Sequence, residues 1–212
     1  LNKIKTISLL TLALFAGSAS AAGNIFTNGT FDSSAFDTEY NKGASAYDAS
    51  SVNIAASAHD LHGSWTDFPS EFGPTMLIVN GGTDATKAVW SQTVGLSAGS
   101  SYDFLLSAAS TYGGSPSNLE VTVTYGANTV SLGTLQLGSS AGEWQTFTQS
   151  VSLGYTGNAT FKLLDLNTDP SGNDFAVDKV SLTSAVPEPE TYAMLMAGLG
   201  LVGFAARRRK AA

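Results

Sequence analysis

The chain has no cysteine, only two histidines (His59 and His62) and, over most of its length, very little positive charge. Without cysteine there is no disulfide and no thiol nucleophile, so the fold must rest on an apolar core. Six of the ten Lys and Arg residues lie near the termini (Lys3, Lys5, Arg207, Arg208, Arg209 and Lys210). Between Gly23 and Ala185 four lysines face fifteen carboxylates, a net charge close to −11 against −7 for the whole chain. That balance argues against nucleic acid or anionic lipid as a partner and is compatible with neutral glycans or divalent cations. Long hydrophobic runs are confined to the two ends, and no helical period is found between them.

Each end reads as an address. Lys3 and Lys5 precede an apolar run from Ile7 to Ala16, and Ala19 and Ala21 supply a small-residue cleavage site, so residues 1–21 are expected to be a secretory signal peptide. At the other end, Tyr192 to Ala206 carries no charge. As a helix these ~15 residues rise about 22 Å against a hydrocarbon core of about 30 Å, short for a permanent anchor. Snorkelling by Arg207 would extend the reach, and the cations at 207–210 are expected to stay cytoplasmic, leaving the body outside. Pro187 and Pro189 hold the chain extended just before the span, a shape a processing enzyme needs.

The run Val186-Pro187-Glu188-Pro189, the Gly-rich apolar segment and the terminal Arg207-Arg208-Arg209 cluster resemble the PEP-CTERM sorting signal of Gram-negative bacteria. The resemblance implies that a membrane protease, exosortase, removes the tail and delivers the protein to the cell surface or extracellular polysaccharide. The expected organisation is a signal peptide at 1–21, one domain at 22–185 and a sorting signal at 186–212. The last comprises the motif at 187–189, a transmembrane helix at 192–206 and an Arg-rich tail at 207–210.

The body reads as short β-rich runs separated by Gly, Ser, Asn and Asp. Strands are expected at 24–31, 52–56, 76–80, 88–94, 102–108, 119–125, 129–137, 145–153, 159–164 and 175–183, a spacing that gives an all-β, antiparallel sandwich. Alternation puts Leu119, Val121, Val123 and Tyr125 on one face of their strand, and Tyr102, Phe104, Leu106 and Ala108 on one face of theirs; both faces belong in the core.

Three stretches look like the galactose-binding-like jelly rolls, a superfamily that includes many carbohydrate-binding modules. They are Asn28-Gly29-Thr30-Phe31-Asp32, the run from Val89 to Val94 with Ala98 to Phe104, and the closing Asp174 to Leu182. The resemblance implies a jelly-roll β-sandwich and a structural Ca²⁺ between the first strand and the last, with Asp32 and Asp178 as the matching carboxylates. An inward Asp178 between Val177 and Val180 would be costly unless paired or metal-bound.

Other motifs carry less. Gly95 to Gly99 and Gly138 to Gly142 match Gly-x-Ser-x-Gly, but strands follow both and no histidine lies after His62, so both are turns. Gly198 to Gly203 matches a dinucleotide fingerprint inside the apolar tail, without the strand such a loop requires. His59 and His62 flank Asp60 in what reads as a surface loop, with a metal site as the alternative. Trp65, Phe68, Phe72 and Tyr112 either form a sugar-stacking platform at the loop end or cap the core. The run from Asp165 to Asp174 alternates oxygen side chains like a calcium loop, yet Pro170 and Ala176 replace the glycine and glutamate an EF-hand needs, so Asx turns are the first reading.

No convincing catalytic set emerges. The leading expectation is a non-catalytic, exported glycan-binding or biofilm-matrix protein; the alternatives are a polysaccharide- or ester-active hydrolase on the same scaffold and a purely structural adhesin.

Overall fold

The structure, a computed structural model, describes residues 23–185 and 189–210, with the side chains at 189–194, 205–206 and 208–210 left aside. The expected signal peptide and Val186, Pro187 and Glu188 of the sorting motif lie outside the described residues. The body, Ala22–Ala185, is one compact unit.

Among the described residues ten strands make two sheets: β1 (Asn41–Lys42), β2 (Ser51–Ala55), β3 (Met76–Asn80), β4 (Ala88–Leu96), β5 (Ser101–Ser110), β6 (Asn118–Tyr125), β7 (Asn128–Gln136), β8 (Gln145–Ser152), β9 (Gly157–Asp165) and β10 (Phe175–Ser184). One sheet runs β1-β2-β3-β10-β5-β8 and the other β4-β9-β6-β7. Every pairing is antiparallel except the short β1·β2 contact. The expected jelly-roll sandwich is the architecture found.

Alternation builds the core as the sequence implied. Tyr102, Phe104, Leu106 and Ala108 of β5 are buried, as are Leu119, Val121 and Val123 of β6. Between the sheets Phe26 packs edge-on against Trp90 and Phe161, and Phe104 stacks on Phe161 with centroids 5.9 Å apart. These aromatics dominate the burial, since each fully buried large apolar side chain contributes about 1.5–3 kcal/mol.

The expected strand at 24–31 does not form. Ile25 donates to the Leu182 carbonyl and Val180 donates to that of Gly29, so the segment lies along β10, but Asn28 and Phe31 adopt left-handed φ angles of 52° and 53°. Gly29 is required there, because a Cβ would be driven into the Val180 carbonyl oxygen and the Asn24 carboxamide. Phe31 and Phe26 still reach the core, so the apolar residues that suggested a strand are buried from a turn.

Two irregularities set side-chain directions. In β10 the pairing with β5 skips Asp178, a bulge residue, and the inward set changes from Phe175 and Val177 to Val180 and Leu182. In β9 the inward series Ala159, Phe161, Leu163 continues one residue past the expected strand end, so Asp165 takes a core-facing position.

A second apolar cluster lies outside the sandwich. The long connection between β2 and β3 folds over the outer face of the six-stranded sheet, bringing Trp65 and Phe68 onto Met76, Ile78, Ala109 and Ala176. It covers only part of that face: along β5 the outward positions go from exposed Asp103 through half-buried Leu105 to buried Ser107 and Ala109.

The C-terminal segment is a helix, α1 (Pro189–Lys210), with proline at its first position, where the missing N–H costs nothing. Its Leu195, Met196, Leu199 and Arg207 are exposed. The span expected at 192–206 is thus helical, yet among the described residues no helix is long and apolar enough to cross a membrane. The sequence supplies the reason: Gly198, Gly200 and Gly203 dilute a short apolar run that ends at Arg207.

Candidate functional site

Where the covering connection ends, the outer face of the six-stranded sheet opens into a groove of about 790 Å³. Its floor is a grid set by strand register. Thr183, Asp103 and Ser150 form one rung across β10, β5 and β8, and Ser181, Leu105 and Thr148 form the next; Lys179 of β10 closes the floor beyond them. Adjacent strands place these positions about 4.8 Å apart and alternate residues repeat after about 6.7 Å. Ser150 donates to Asp103 Oδ1 at 2.8 Å, and Asn24, Gly29 and Thr30 form one wall. At the covered end Lys179 Nζ lies 4.3 Å above the Phe72 ring, and the Ser107 hydroxyl donates to Glu71. The floor thus offers hydroxyls, one carboxylate, one ammonium and a central aliphatic side chain, a set suited to a polyhydroxylated ligand.

Of the two readings open for the four aromatics, a stacking platform or a cap on the core, Trp65 and Phe68 take the second. Trp65 is 3% exposed and Phe68 7% exposed, so neither face is open to a sugar. The Trp65 indole N–H donates to Asp174 Oδ2 at 3.0 Å, its ring stacks on His62, and Phe68 packs edge-on against Trp144. Both are core, buried because the connection folds back over apolar sheet positions that would otherwise face water. Phe72 borders the groove, half-buried under Lys179, whereas Tyr112 is exposed on the separate loop after β5. The groove residues follow from the same alternation that gave the core: once Tyr102, Phe104 and Leu106 point inward, Asp103, Leu105 and Ser107 must point outward.

Asp178 is fully buried. Phe72 N–H donates to its Oδ2, while Oδ1 has no hydrogen-bond partner. Burial pushes its carboxyl up to about 6, partly offset by backbone N–H groups of Phe72 and Glu71, with the charges of Glu71 and Asp32 pushing the same way as burial. Asp32 itself is exposed and accepts from the Thr30 hydroxyl at 2.7 Å. So Asp32, Glu71 and Asp178 share one neighbourhood, although among the described residues no group of three His, Asp or Glu side chains is arranged to hold a metal ion.

The run from Asp165 to Ser171 makes three successive Asx turns. Asp165 Oδ1 accepts from Asn167 N–H, Asn167 Oδ1 from Asp169 N–H and Asp169 Oδ1 from Ser171 N–H, each at 3.0 Å. The side chains that suggested an EF-hand-like loop are occupied by their own backbone. Burial raises the Asp165 carboxyl to about 6 and also raises that of Asp174; Tyr40 is pushed up to about 12 by burial and by the Asp165 charge. The two histidines lie in a loop: His59 Nδ1 is 2.9 Å from the Trp65 carbonyl, and the His62 ring lies between Tyr47 and Trp65. Both Gly-x-Ser-x-Gly matches are turns, with Gly99 and Gly142 at φ angles of 77° and 82°.

Comparison with known proteins separates the two parts of the chain. Residues 185–210 match the PEP-CTERM protein-sorting motif. Among curated protein sequences none matches. The body resembles solved jelly-roll domains. The CBM22-1 xylan-binding domain of Xyn10C from Paenibacillus barcinonensis is 14% identical, with 81% of this chain and 100% of that one covered and a TM-score of 0.53. TmCBM61, solved with beta-1,4-galactotriose, is 17% identical over 77% of this chain and all of its own, with a TM-score of 0.53. A cyclase from Fischerella sp. TAU is 14% identical over 80% of this chain and all of its own, with a TM-score of 0.56. At these identities the likeness establishes the fold, which binding modules and an enzyme share.

Proposed function

We propose that this exported protein is a non-catalytic glycan-binding component of the cell surface or extracellular polysaccharide matrix, with the carbohydrate lying along the outer-face groove. The PEP-CTERM motif marks the chain for export and C-terminal processing, and exosortase is the partner that releases the body. The observation that carries the glycan reading is the two-rung grid of hydroxyls around Leu105, on a scaffold shared with a xylan-binding and a galactotriose-bound module.

Binding is favoured over hydrolysis because Asp103 is the one carboxylate among the groove-lining residues, and glycoside hydrolysis ordinarily needs a pair. The strongly acidic body favours neutral polysaccharide over an anionic one. A structural calcium ion beside Asp178 belongs to the same proposal. The orphaned, buried Oδ1 requires a cation or donor, and Asp32 and Glu71 add charge nearby.

The test is affinity electrophoresis of the wild-type protein and of Leu105→Arg through gels containing xylan, β-1,4-galactan or the cell's own polysaccharide. Leu105→Arg projects a long cation from the floor and is expected to weaken retardation at least tenfold in the gel that retards the wild type. Equal retardation of both proteins, or none of the wild type in any gel, would refute the groove reading.

A further inference from the structure

Among the described residues the two sheets have four margins, and three of them are guarded against pairing with another chain. β1 is two residues long and carries Lys42. β4 is covered by the segment before β1, where Ser91 N–H donates to the Asp37 carbonyl at 2.9 Å and Glu39 N–H donates to that of Ala88 at 2.8 Å. β7 is broken by a bulge at Leu132, with Gly133 beside it at a φ of 133°. Shortness, charge, cover and bulges are the means by which natural sheets avoid edge-to-edge association.

β8, at the other end of the six-stranded sheet, has none of these. Its pairing with β5 continues from Gln145 to Ser152 without a shift in register, and on its far side no strand pairs with it among the described residues. Every second residue of such a strand turns its N–H and C=O to the free side. Thr148, Gln149 and Ser150 are all exposed, although Gln149 lies opposite inward-facing Phe104 and shares its face. No charge protects this margin either: from Val121 to Phe161, a stretch that holds all of β7 and β8, Glu143 is the sole charged residue. The nearest acid on the neighbouring strand, Asp103, is engaged by the Ser150 hydroxyl. Phe147 of β8 packs over Gly133 of β7, and the half-buried Leu132 and Leu135, with Val130 at 42% exposed, extend an apolar rim along the same side.

We propose that a second copy of the chain docks on this margin, β8 pairing antiparallel with the partner's β8 about a two-fold axis through Gln149, so that two six-stranded sheets become one. The body carries a net charge close to −11, so copies repel at every acidic surface but not along an uncharged edge, which in turn offers nothing to a basic partner. An antiparallel strand is its own complement under a two-fold axis. Side chains opposite one another must share a face, so the axis passes through a residue rather than between two. With Gln149 on it, Phe147 meets the partner's Val151, Thr148 the partner's Ser150 and Thr146 the partner's Ser152, an aromatic–β-branched pair and two hydroxyl pairs. The two Gln149 carboxamides then face each other and exchange hydrogen bonds. Pairing uses the backbone of β8 whereas the groove uses its outward side chains, so the dimer forms with or without glycan and sets two grooves side by side.

The experiment is sedimentation velocity of the full-length protein in non-ionic detergent, which keeps the apolar ends from associating. The samples are wild type, Gln149→Glu, Gln149→Lys, an equimolar mixture of those two, and Ser131→Glu on β7 as a control. Wild type is expected to dimerise in the micromolar range. Either substitution at Gln149 sets like charges opposite each other across the axis and is expected to weaken dimerisation about fivefold or more, although one raises the net negative charge and the other lowers it. Mixing the two pairs opposite charges and is expected to restore dimer to about the wild-type level, a recovery that a folding defect does not produce. Ser131→Glu should dimerise as wild type does. A monomeric wild type, unweakened dimer in both Gln149 variants, no recovery on mixing, or equal weakening by Ser131→Glu would overturn the proposal.

Discussion

Replacing Trp65 by phenylalanine distinguishes a buried anchor from a sugar-contacting aromatic. The indole is 3% exposed, its N–H donates to Asp174 Oδ2 at 3.0 Å, and Asp174 is itself only 8% exposed. Phenylalanine keeps most of the apolar contact with Met76, Ile78, Ala109 and Ala176 but removes the donor and part of the volume. A hydrogen bond to a charged group contributes about 1.5–3 kcal/mol, and the residual cavity adds about 1 kcal/mol. A total near 3 kcal/mol lowers Tm by roughly 6–12 °C in a domain of this size. The assay is thermal unfolding by circular dichroism at pH 7.5 and pH 5, paired with polysaccharide binding at 15 °C. Burial already raises the Asp174 carboxyl, and losing a donor to the charged form raises it further, so the deficit should shrink at pH 5. Binding at 15 °C should be unchanged. Unaltered Tm together with lost binding would refute this reasoning and return Trp65 to a glycan surface.

Gly29→Ala drives a Cβ into the Val180 carbonyl oxygen, and urea unfolding should show a loss of about 3 kcal/mol or more; wild-type stability would mean the turn along β10 is misplaced. The buried carboxyls give a pH test with a definite sign. Asp165 and Asp178 have folded pKa values near 6, above their unfolded values, so their contribution is fully present below about pH 3.8 and is lost as pH rises through 6. With chelator present, stability should therefore rise by about 1.4 kcal/mol per group between pH 7.5 and pH 5, whereas a fall over that range would contradict the burial of both. Glu39, Asp84 and Asp169 are shifted down and act in the opposite sense below that range. For calcium beside Asp178, melting of wild type and Asp178→Ala should be compared with and without chelator; identical temperatures in all four samples would rule it out. For processing, mass spectrometry of surface material should find a body lacking Arg207 to Ala212, and intact tails would count against release.

Much of the fold was legible because period-two alternation is read directly from the residues. β5 and β6 appear with the faces expected, and seven other strands fall within a few residues of their expected positions. What escaped was tertiary. The apolar pattern at 24–31 was real, but left-handed Asn28 and Phe31 turn it into a bend rather than a strand. For Trp65 and Phe68 the sequence left open a stacking platform or a cap on the core, and the folding of their connection over the sheet is what decides for burial. The Asp178 bulge changes which residues of β10 face inward, a shift that no regular period foretells. Asp165 was within reach: extending the series 159, 161, 163 by one step would have placed it in the core. The groove, too, was implied as the complement of a correctly assigned inner face.

The central claim is that glycan lies on the outer face between β10, β5 and β8. Amide chemical-shift mapping of the isotopically labelled protein during titration with xylan-derived and β-1,4-galactan-derived oligosaccharides tests it most directly. Saturable shifts should centre on Asp103, Leu105, Thr148, Ser150, Ser181 and Thr183 and spare Tyr112 and the loop from Asp165 to Asp174. Shifts centred on Tyr112, or on the β4-β9-β6-β7 sheet, would contradict the account.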